Sequence, residues 1–280
     1  MLITIGVMLN PFLLNPHFPH VQANFSLETR ASPRRISRWA RLGRELLASF
    51  RDNVRRASRR VNFFQVIAMD LNATLRKLGY VPVIEIDDAD NALPLAEALI
   101  AGGIGCIEVT LRTDAALAAI KTIAMSGLPM MLGVGTVTRA DQVSMCVDAG
   151  AQFAVSPGFT ESLGMACRSA LLPLLPGTVT PSEVLIALDA GFDTLKFFPA
   201  SLYGGAAWLK AIQGPIPQAT FCPTGGIRDE DIAAYLACSN VAAFGSSAVA
   251  SRALIAAKNW DEITARAKRL MSVVRAARPL

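Results

Sequence analysis

Short apolar runs alternate with amphipathic stretches along most of this chain, and that alternation most constrains its fold. Eight runs rich in Val, Ile, Leu and Phe have the length of buried strands. They lie at residues 81–86, 106–111, 130–134, 153–156, 172–175, 194–198, 220–222 and 241–244. Strands that alternate with helices indicate a parallel sheet, and eight such units predict a closed (β/α)8 barrel, the TIM-barrel fold.

An open, doubly wound sheet is the alternative architecture. No G-x-G-x-x-G sequence opens a helix after the first predicted strand, so this alternative lacks its usual signature. Glycines at the ends of three predicted helices, Gly102, Gly150 and Gly191, each follow an alanine just before a strand. We expect each to adopt the left-handed conformation that turns the chain back into the sheet.

The length of the chain fits one large α/β barrel or two small domains, and its composition indicates a substantial core. Of the 280 residues, 52% are hydrophobic and 18% are charged, which excludes global disorder. No run of eighteen uncharged apolar residues occurs, so we expect neither a membrane span nor a membrane partner. The five cysteines are odd in number and widely spaced, without C-x-x-C. They are interpreted as reduced core thiols of a cytoplasmic protein, without a disulfide framework or a metal site.

The first 68 residues differ from the rest in charge. They hold eleven Arg, no Lys and three acidic residues, a net charge of +8, whereas residues 69–280 carry −3. Three interpretations stay open: sequence upstream of a true start at Met69, a targeting peptide, or a functional arm. A basic run alone is weak evidence for nucleic-acid binding, so no nucleic-acid partner is expected. Both histidines, His17 and His20, lie in this extension, which removes histidine-based catalysis from the domain at 69–280.

Two charged residues lie within predicted strands whose neighbours are apolar. Alternation along the second strand places Glu108, Thr110 and Arg112 on one face, which we expect to point into the barrel. Alternation along the sixth strand turns Lys196 inward. Removal from water favours the neutral amine, the nucleophile that forms a Schiff base with a ketone. Glu108 and Lys196 are therefore either a structural ion pair or a catalytic pair.

Small residues follow four later strands, where barrel enzymes bind their ligands. Glycine-rich turns follow the seventh strand, at Gly225 and Gly226, and the eighth, before Ser247. They are either ordinary turns or a phosphate site built from backbone N–H groups. At the ends of the third and fourth strands, Thr136 can donate a hydrogen bond to a carboxylate, and Pro157 can shape a pocket.

Five of these strings occur together in one order: EVTLRT at 108–113, GVGTV at 133–137, SPG at 156–158, KFFPA at 196–200 and PTGG at 223–226. In this combination the chain resembles the bacterial 2-keto-3-deoxy-6-phosphogluconate (KDPG) aldolases, which also act as 4-hydroxy-2-oxoglutarate aldolases. The similarity covers about residues 70–275. The chain departs from the family pattern at Ser246, where glycine is common, and the extension has no counterpart in the family.

The resemblance implies a metal-independent class I aldolase, a carbon–carbon lyase without a cofactor, usually a homotrimer. It implies Lys196 as the Schiff-base lysine and Glu108 as the proton-transferring residue. It further implies that Arg112 and Thr136 hold the carboxylate of a keto-acid substrate, that Pro157 and Phe198 form the pocket wall, and that the phosphate is bound by Gly225, Gly226 and Ser247.

Two other functions are weighed against this one. A phosphosugar isomerase or epimerase could use Glu108 as its base and the same glycine turns, without a covalent lysine. A non-catalytic barrel acting through its basic arm is the second. The configuration accepted at C4 and the preference for phosphorylated substrates do not follow from the sequence.

Overall fold

The structure, a computed structural model, describes residues 70–278, so the predicted extension at 1–68 lies outside the described residues. Nine parallel strands are β1 (Tyr80–Ile84), β2 (Cys106–Thr110), β3 (Met131–Gly135), β4 (Phe153–Val155), β5 (Leu174–Leu175), β6 (Gly177–Thr178), β7 (Thr194–Phe197), β8 (Thr220–Pro223) and β9 (Phe244–Ser246).

The strands close into the predicted eight-membered barrel. One hydrogen-bonded sheet has the order β5-β4-β3-β2-β1-β9 and the other the order β6-β7-β8. Parallel bridges from Phe221 to Val241 and from Thr224 to Gly245 join β8 to the β9 side. On the other side, β5 runs through Pro176 directly into β6. These two short strands are the two halves of the fifth barrel strand, which makes the architecture the (β/α)8 barrel expected from the alternation.

The predicted fifth strand, 172–175, differs from the observed one in where it begins and ends. Leu172 still belongs to the helix end, because its N–H donates to the Cys167 carbonyl at 2.9 Å and the preceding Leu171 has a φ of 54°. The pairing then continues past Pro176 to Thr178. A continuous apolar run gives no sign of where the helix end stops and the strand starts.

Ten helices lie among residues 70–278, and those that follow a strand return the chain to the start of the next. They are α1 (Leu71–Leu78), α2 (Ala92–Ala101), α3 (Ala116–Met125), α4 (Gln142–Asp148), α5 (Glu161–Ser169), α6 (Pro181–Asp189), α7 (Gly205–Gln213), α8 (Ile232–Leu236), α9 (Arg252–Ala256) and α10 (Trp260–Ala277). Side-chain caps begin several of them. Thr180 and Glu183 form a complete capping box at α6, with Pro181 at its first position.

Two apolar layers hold the barrel together. The larger lies between the strands and the helices, and the smaller fills the barrel interior. In the interior Phe153, Val155 and Cys222 pack with Leu71 and Leu75 of α1. Helix α1 therefore closes one end of the barrel and leaves the carboxyl ends of the strands as the open mouth.

The expectation for the junction glycines is right at two positions and wrong at the third. Gly150 and Gly191 have positive φ values of 94° and 77°. Gly102 has a φ of −83°, and its neighbour Gly103 takes the left-handed conformation with a φ of 88°. Gly102 is small for another reason: a β-carbon there would collide with Ala267 of α10.

No helix within residues 70–278 is long and apolar enough to cross a membrane. In the same range, no three His, Cys, Asp or Glu side chains come together as they would to hold a metal ion. All five cysteines lie in this range, and each is a buried free thiol.

Candidate active site

Lys196 and Glu108 meet inside the barrel, although they belong to strands on opposite sides of it. Lys196 extends from β7 and Glu108 from β2, and their side chains are only 7% and 3% exposed. Lys196 Nζ donates to Glu108 Oε1 across 3.4 Å. The predicted inward direction of both side chains is therefore confirmed. A buried pair of ionisable side chains of this kind is costly to form, which makes it a candidate for chemistry rather than for stability alone.

Neighbouring residues are small where the pair needs space. A β-carbon on Gly135, at the end of β3, would collide with the Glu108 carboxylate, and one on Gly133 would collide with the Phe153 ring. The two glycines thus let a carboxylate and a phenyl ring share the interior. Beside Lys196 on β8, burial raises the pKa of the Cys222 thiol to about 12, so this thiol stays protonated and uncharged next to the pair.

Arg112 lies at the mouth of the barrel, not inside it. Strand β2 ends at Thr110, two residues before Arg112. The Arg112 side chain is 44% exposed. Its Nη1 donates to Glu85 at 2.6 Å and its Nε to Thr136 Oγ1 at 3.3 Å. Arg112 is therefore half-exposed at the rim of the barrel and not buried beside Glu108, and its contact with Thr136 agrees with a shared role at the mouth.

Thr136 adopts an unusual backbone conformation directly after β3. Its φ is 60°, in the left-handed region that β-branched residues rarely occupy. Such strain costs about 1–3 kcal/mol and is concentrated at functional sites. In this conformation the Thr136 hydroxyl accepts the hydrogen bond from Arg112 Nε. This contact makes Thr136 a stronger candidate for a binding residue than its presence in a small-residue turn suggested.

The two predicted pocket-wall residues differ in their contacts with the pair. Lys196 Nζ lies over the Phe198 ring, 5.1 Å from its centroid, so Phe198 contacts the candidate nucleophile directly. Pro157 is exposed at the end of β4. A side chain on Gly177 would collide with the Pro157 carbonyl, so the backbone after β4 and the backbone of β6 approach each other closely there.

The segment after β8 runs beside β9, joined to it by the bridge from Thr224 to Gly245. Gly225 and Gly226 have φ values of 97° and 71°, which only glycine adopts at low cost. A β-carbon on Gly225 would lie 3.1 Å from the Phe198 ring. Ser247 is exposed on the neighbouring loop. The predicted phosphate residues thus adjoin one another and the pocket wall.

Two residues that form hydrogen bonds with groups near the mouth were not found by sequence reasoning. Tyr80 begins β1, and its buried hydroxyl donates to the Ser246 carbonyl at 2.9 Å, with the Ser246 hydroxyl at 3.3 Å. Burial raises the pKa of this phenol well above its usual range. Glu85, directly after β1, bonds Arg112. The alternation of inward and outward side chains cannot predict either contact. Tyr80 and Ser246 are 166 residues apart in the sequence, and Glu85 and Arg112 are 27 residues apart.

The structure also has a cavity of about 450 Å³ at the closed end of the barrel. It is lined by the start of α1, including Asp70 and Arg76, and by the segment from Gly191 to Thr194. These residues are at the closed end of the barrel, where the strands begin. Barrel enzymes place their active sites at the opposite end, so the candidate site is the one around Lys196.

Comparison with known proteins agrees with the geometry. The family model described as "KDPG and KHG aldolase" matches residues 71–266. The 2-dehydro-3-deoxy-phosphogluconate aldolase of Pseudoalteromonas atlantica is 46% identical over 192 residues, which cover 69% of this chain and 89% of that protein. The KHG/KDPG aldolase of Escherichia coli is 44% identical over 184 residues, covering 66% of this chain and 86% of its own length.

Solved structures extend the comparison to three dimensions. KDPG aldolase from Legionella pneumophila, with pyruvate captured as a covalent carbinolamine intermediate, is 42% identical with a TM-score of 0.69. The match covers 71% of this chain and 97% of that one. The Zymomonas mobilis enzyme with 3-phosphoglycerate is 39% identical with a TM-score of 0.68, covering 75% and 99%. The barrel fold, the family match and these relatives together show that the chain belongs to the KDPG and KHG aldolase family, a family of lyases.

Proposed function

We propose that this chain cleaves 2-dehydro-3-deoxy-6-phosphogluconate reversibly to pyruvate and glyceraldehyde 3-phosphate, and also 4-hydroxy-2-oxoglutarate to pyruvate and glyoxylate. The observation that carries the proposal is the buried contact between Lys196 and Glu108 in a barrel of this family. A covalent carbinolamine of pyruvate in the Legionella pneumophila relative supports an amine nucleophile.

The first half of the reaction builds an electron sink. The neutral Lys196 amine attacks the C2 ketone, and the carbonyl oxygen takes a proton to give a carbinolamine. Loss of this hydroxyl as water leaves a protonated imine. Glu108, whose Oε1 lies 3.4 Å from the amine, is placed to receive and return these protons.

The second half breaks the carbon–carbon bond. Glu108 removes the proton of the C4 hydroxyl, the C3–C4 bond breaks as C4 becomes an aldehyde, and the bond electrons move to the imine nitrogen to form an enamine. Protonation at C3 and hydrolysis then release pyruvate and free Lys196. Because the imine accepts the electrons, we propose that the reaction needs no metal and no cofactor. Activity should then survive exhaustive dialysis against EDTA.

Residues at the mouth orient the substrate. Arg112 and Thr136 hold the keto-acid carboxylate, so that the ketone reaches the amine in a reactive geometry. Phe198 and Pro157 form the pocket wall. Backbone N–H groups at Gly225 and Gly226, with Ser247, bind the phosphate at the far end of the substrate. The Zymomonas mobilis relative, which was solved with 3-phosphoglycerate, supports a phosphate-binding region in this fold.

A Lys196→Met variant separates this proposal from an isomerase on the same barrel. The variant lacks the nucleophile, so an aldolase should lose all measurable cleavage, while an isomerase that uses Glu108 alone should keep residual turnover. Circular dichroism of the variant checks that the unpaired Glu108 has not unfolded the barrel, and EDTA-treated wild-type enzyme serves as the positive control.

We also propose a homotrimer of a cytoplasmic enzyme whose activity resides in residues 69–280. Light scattering should give a mass of about three times 29.8 kDa for the full chain. Deletion of residues 1–68 should leave kcat/KM unchanged, since the family match begins at residue 71. Loss of activity on deletion would assign the extension a role in catalysis or folding.

A further inference from the structure

Four charged side chains form an ionic cluster on one side of the barrel mouth, where β9, β1 and β2 end. The reaction steps above use only one of the four. This mouth cluster consists of Arg112, Glu85, Arg252 and Asp87. Glu85 Oε1 lies 2.6 Å from Arg112 Nη1, and its Oε2 lies 3.7 Å from Arg252 Nη1. Arg252 in turn donates two hydrogen bonds of 2.6 Å to Asp87. One carboxylate, that of Glu85, therefore bridges two arginines.

Glu85 restrains Arg112 from one side and Thr136 does so from the other. Glu85 follows β1 and Thr136 follows β3, so Arg112, which follows β2, lies between them. Each contact uses a different guanidinium nitrogen, Nη1 for Glu85 and Nε for Thr136. Two such contacts fix the plane of a guanidinium that could otherwise rotate freely. Within residues 70–278, Nη2 has no hydrogen-bond partner, which leaves that edge of the group for an incoming carboxylate.

We propose that Glu85 is a positioning residue for the substrate carboxylate, because it holds the Arg112 guanidinium in its binding orientation. The inference rests on the proposed role of Arg112. A side chain that is ordered before binding loses less rotational freedom when the ligand arrives, and this raises affinity without a new contact to the ligand.

The rest of the cluster explains how a carboxylate can lie beside an anion site. By itself Glu85 would repel the carboxylate of a keto acid. Arg252 offsets that charge, and Asp87 in turn pairs with Arg252, so the four side chains carry no net charge. The Arg252 guanidinium holds the pKa of Asp87 below its usual range, which keeps Asp87 ionised at neutral pH. Arg112 is thereby oriented with little electrostatic penalty for substrate binding.

Exchange of the pyruvate methyl protons in D2O tests the proposal, because it requires the imine and the carboxylate site but no aldehyde or phosphate. Followed by NMR over a range of pyruvate concentrations, Glu85→Ala should raise KM by about three- to tenfold. Its kcat should change by less than about twofold, since the chemical step is untouched. Glu85→Gln, which keeps the length and an oxygen acceptor but loses the charge, should raise KM less.

Asp90→Asn is the matched control. Asp90 is exposed in the same segment after β1, and its carboxylate forms no ion pair with the mouth cluster. The variant removes one negative charge without touching Arg112 or its partners, so its KM should equal that of the wild type. An unchanged or lowered KM in Glu85→Ala would overturn the proposal, because the loss of a negative charge alone favours anion binding. An equal rise of KM in Asp90→Asn would overturn it as well. Absence of exchange in the wild type would instead contradict the proposed aldolase function. Calorimetric titration with pyruvate would then test Glu85 on its own, with weaker binding by Glu85→Ala expected.

Discussion

At the scale of single residues, the proposed function depends on two ionisable side chains whose surroundings are set by their neighbours. Lys196 and Glu108 come from opposite walls of the barrel and meet only because both are long and point inward. Alternation along β2 and β7 was sufficient to predict both directions. Alternation does not predict the exposure of Arg112, which follows the last residue of β2 and lies at the rim of the barrel.

A Glu108→Gln substitution tests the proton-transfer role. The amide is nearly the same size but cannot act as a base, so kcat should fall by about 10²–10⁴-fold. A pyruvate imine should still form on Lys196, only more slowly. Steady-state kinetics checks the first result and mass spectrometry the second. Glu97→Gln, on the exposed side of α2, is the isosteric control and should behave as the wild type; a wild-type kcat in Glu108→Gln would refute the role.

Gly135→Ala tests whether the space beside Glu108 matters. The new methyl group would collide with the carboxylate and displace it from the Lys196 amine. A shift of about 1 Å at a catalytic group can cost about 10²-fold in rate, and we expect a fall in kcat of at least tenfold. Gly214→Ala is the control, since a β-carbon at Gly214 meets no atom within 4 Å. Equal rates in both variants would show that Glu108 tolerates displacement.

At the scale of the elements, the barrel and its glycine-rich turns could be predicted from sequence, while contacts between distant elements could not. Eight apolar runs predicted eight barrel strands, and the glycines after the seventh run indicated a tight turn, where Gly225 and Gly226 have positive φ values. The fifth strand was misplaced because an apolar run passes without a break from helix end to strand. The pairing of Tyr80 on β1 with Ser246 on β9 follows from barrel closure, which brings together residues that no local pattern connects.

Tyr80→Phe tests whether that pairing orients the phosphate loop. Without the hydroxyl, the Ser246 carbonyl loses a buried hydrogen bond worth about 1 kcal/mol, and the loop should hold phosphate less well. A loss of about 1 kcal/mol in binding free energy corresponds to about a fivefold weaker affinity. The KM for 2-dehydro-3-deoxy-6-phosphogluconate should therefore rise by about fivefold. That for 4-hydroxy-2-oxoglutarate, which has no phosphate, should not change. Tyr235→Phe on α8 is the control. An equal rise for both substrates would contradict a role confined to the phosphate end.

At the scale of the whole molecule, the reduced thiols predicted from cysteine spacing are buried in the two apolar layers. Burial raises the pKa of Cys146 and Cys167 to about 11 each, and that of Cys222 to about 12. In the unfolded chain a thiol ionises near pH 8.5. Above that pH the unfolded state therefore loses protons that the folded state retains, and stability must fall as the pH rises.

The free energy of unfolding should accordingly decrease from about pH 8.5 upward. Each buried thiol contributes about 1.4 kcal/mol per pH unit until the pH reaches its folded-state pKa. Urea denaturation at pH 8 and pH 10 measures the decrease. Cys167→Ala should make the decrease between pH 8 and pH 10 smaller by the contribution of one thiol, whatever the substitution does to the free energy of unfolding at pH 8. A stability that does not change over this range would mean that the thiols ionise in the folded protein.

The central claim is that Lys196 forms an imine with a keto acid, and reductive trapping tests it most directly. The full chain is incubated with pyruvate and sodium borohydride, and the adduct is located by intact and peptide mass spectrometry, with Lys196→Met treated in parallel. We predict one reduced pyruvate adduct per chain, on Lys196, and none in the variant. No adduct on well-folded wild-type protein, or an adduct on another lysine, would contradict the proposed mechanism.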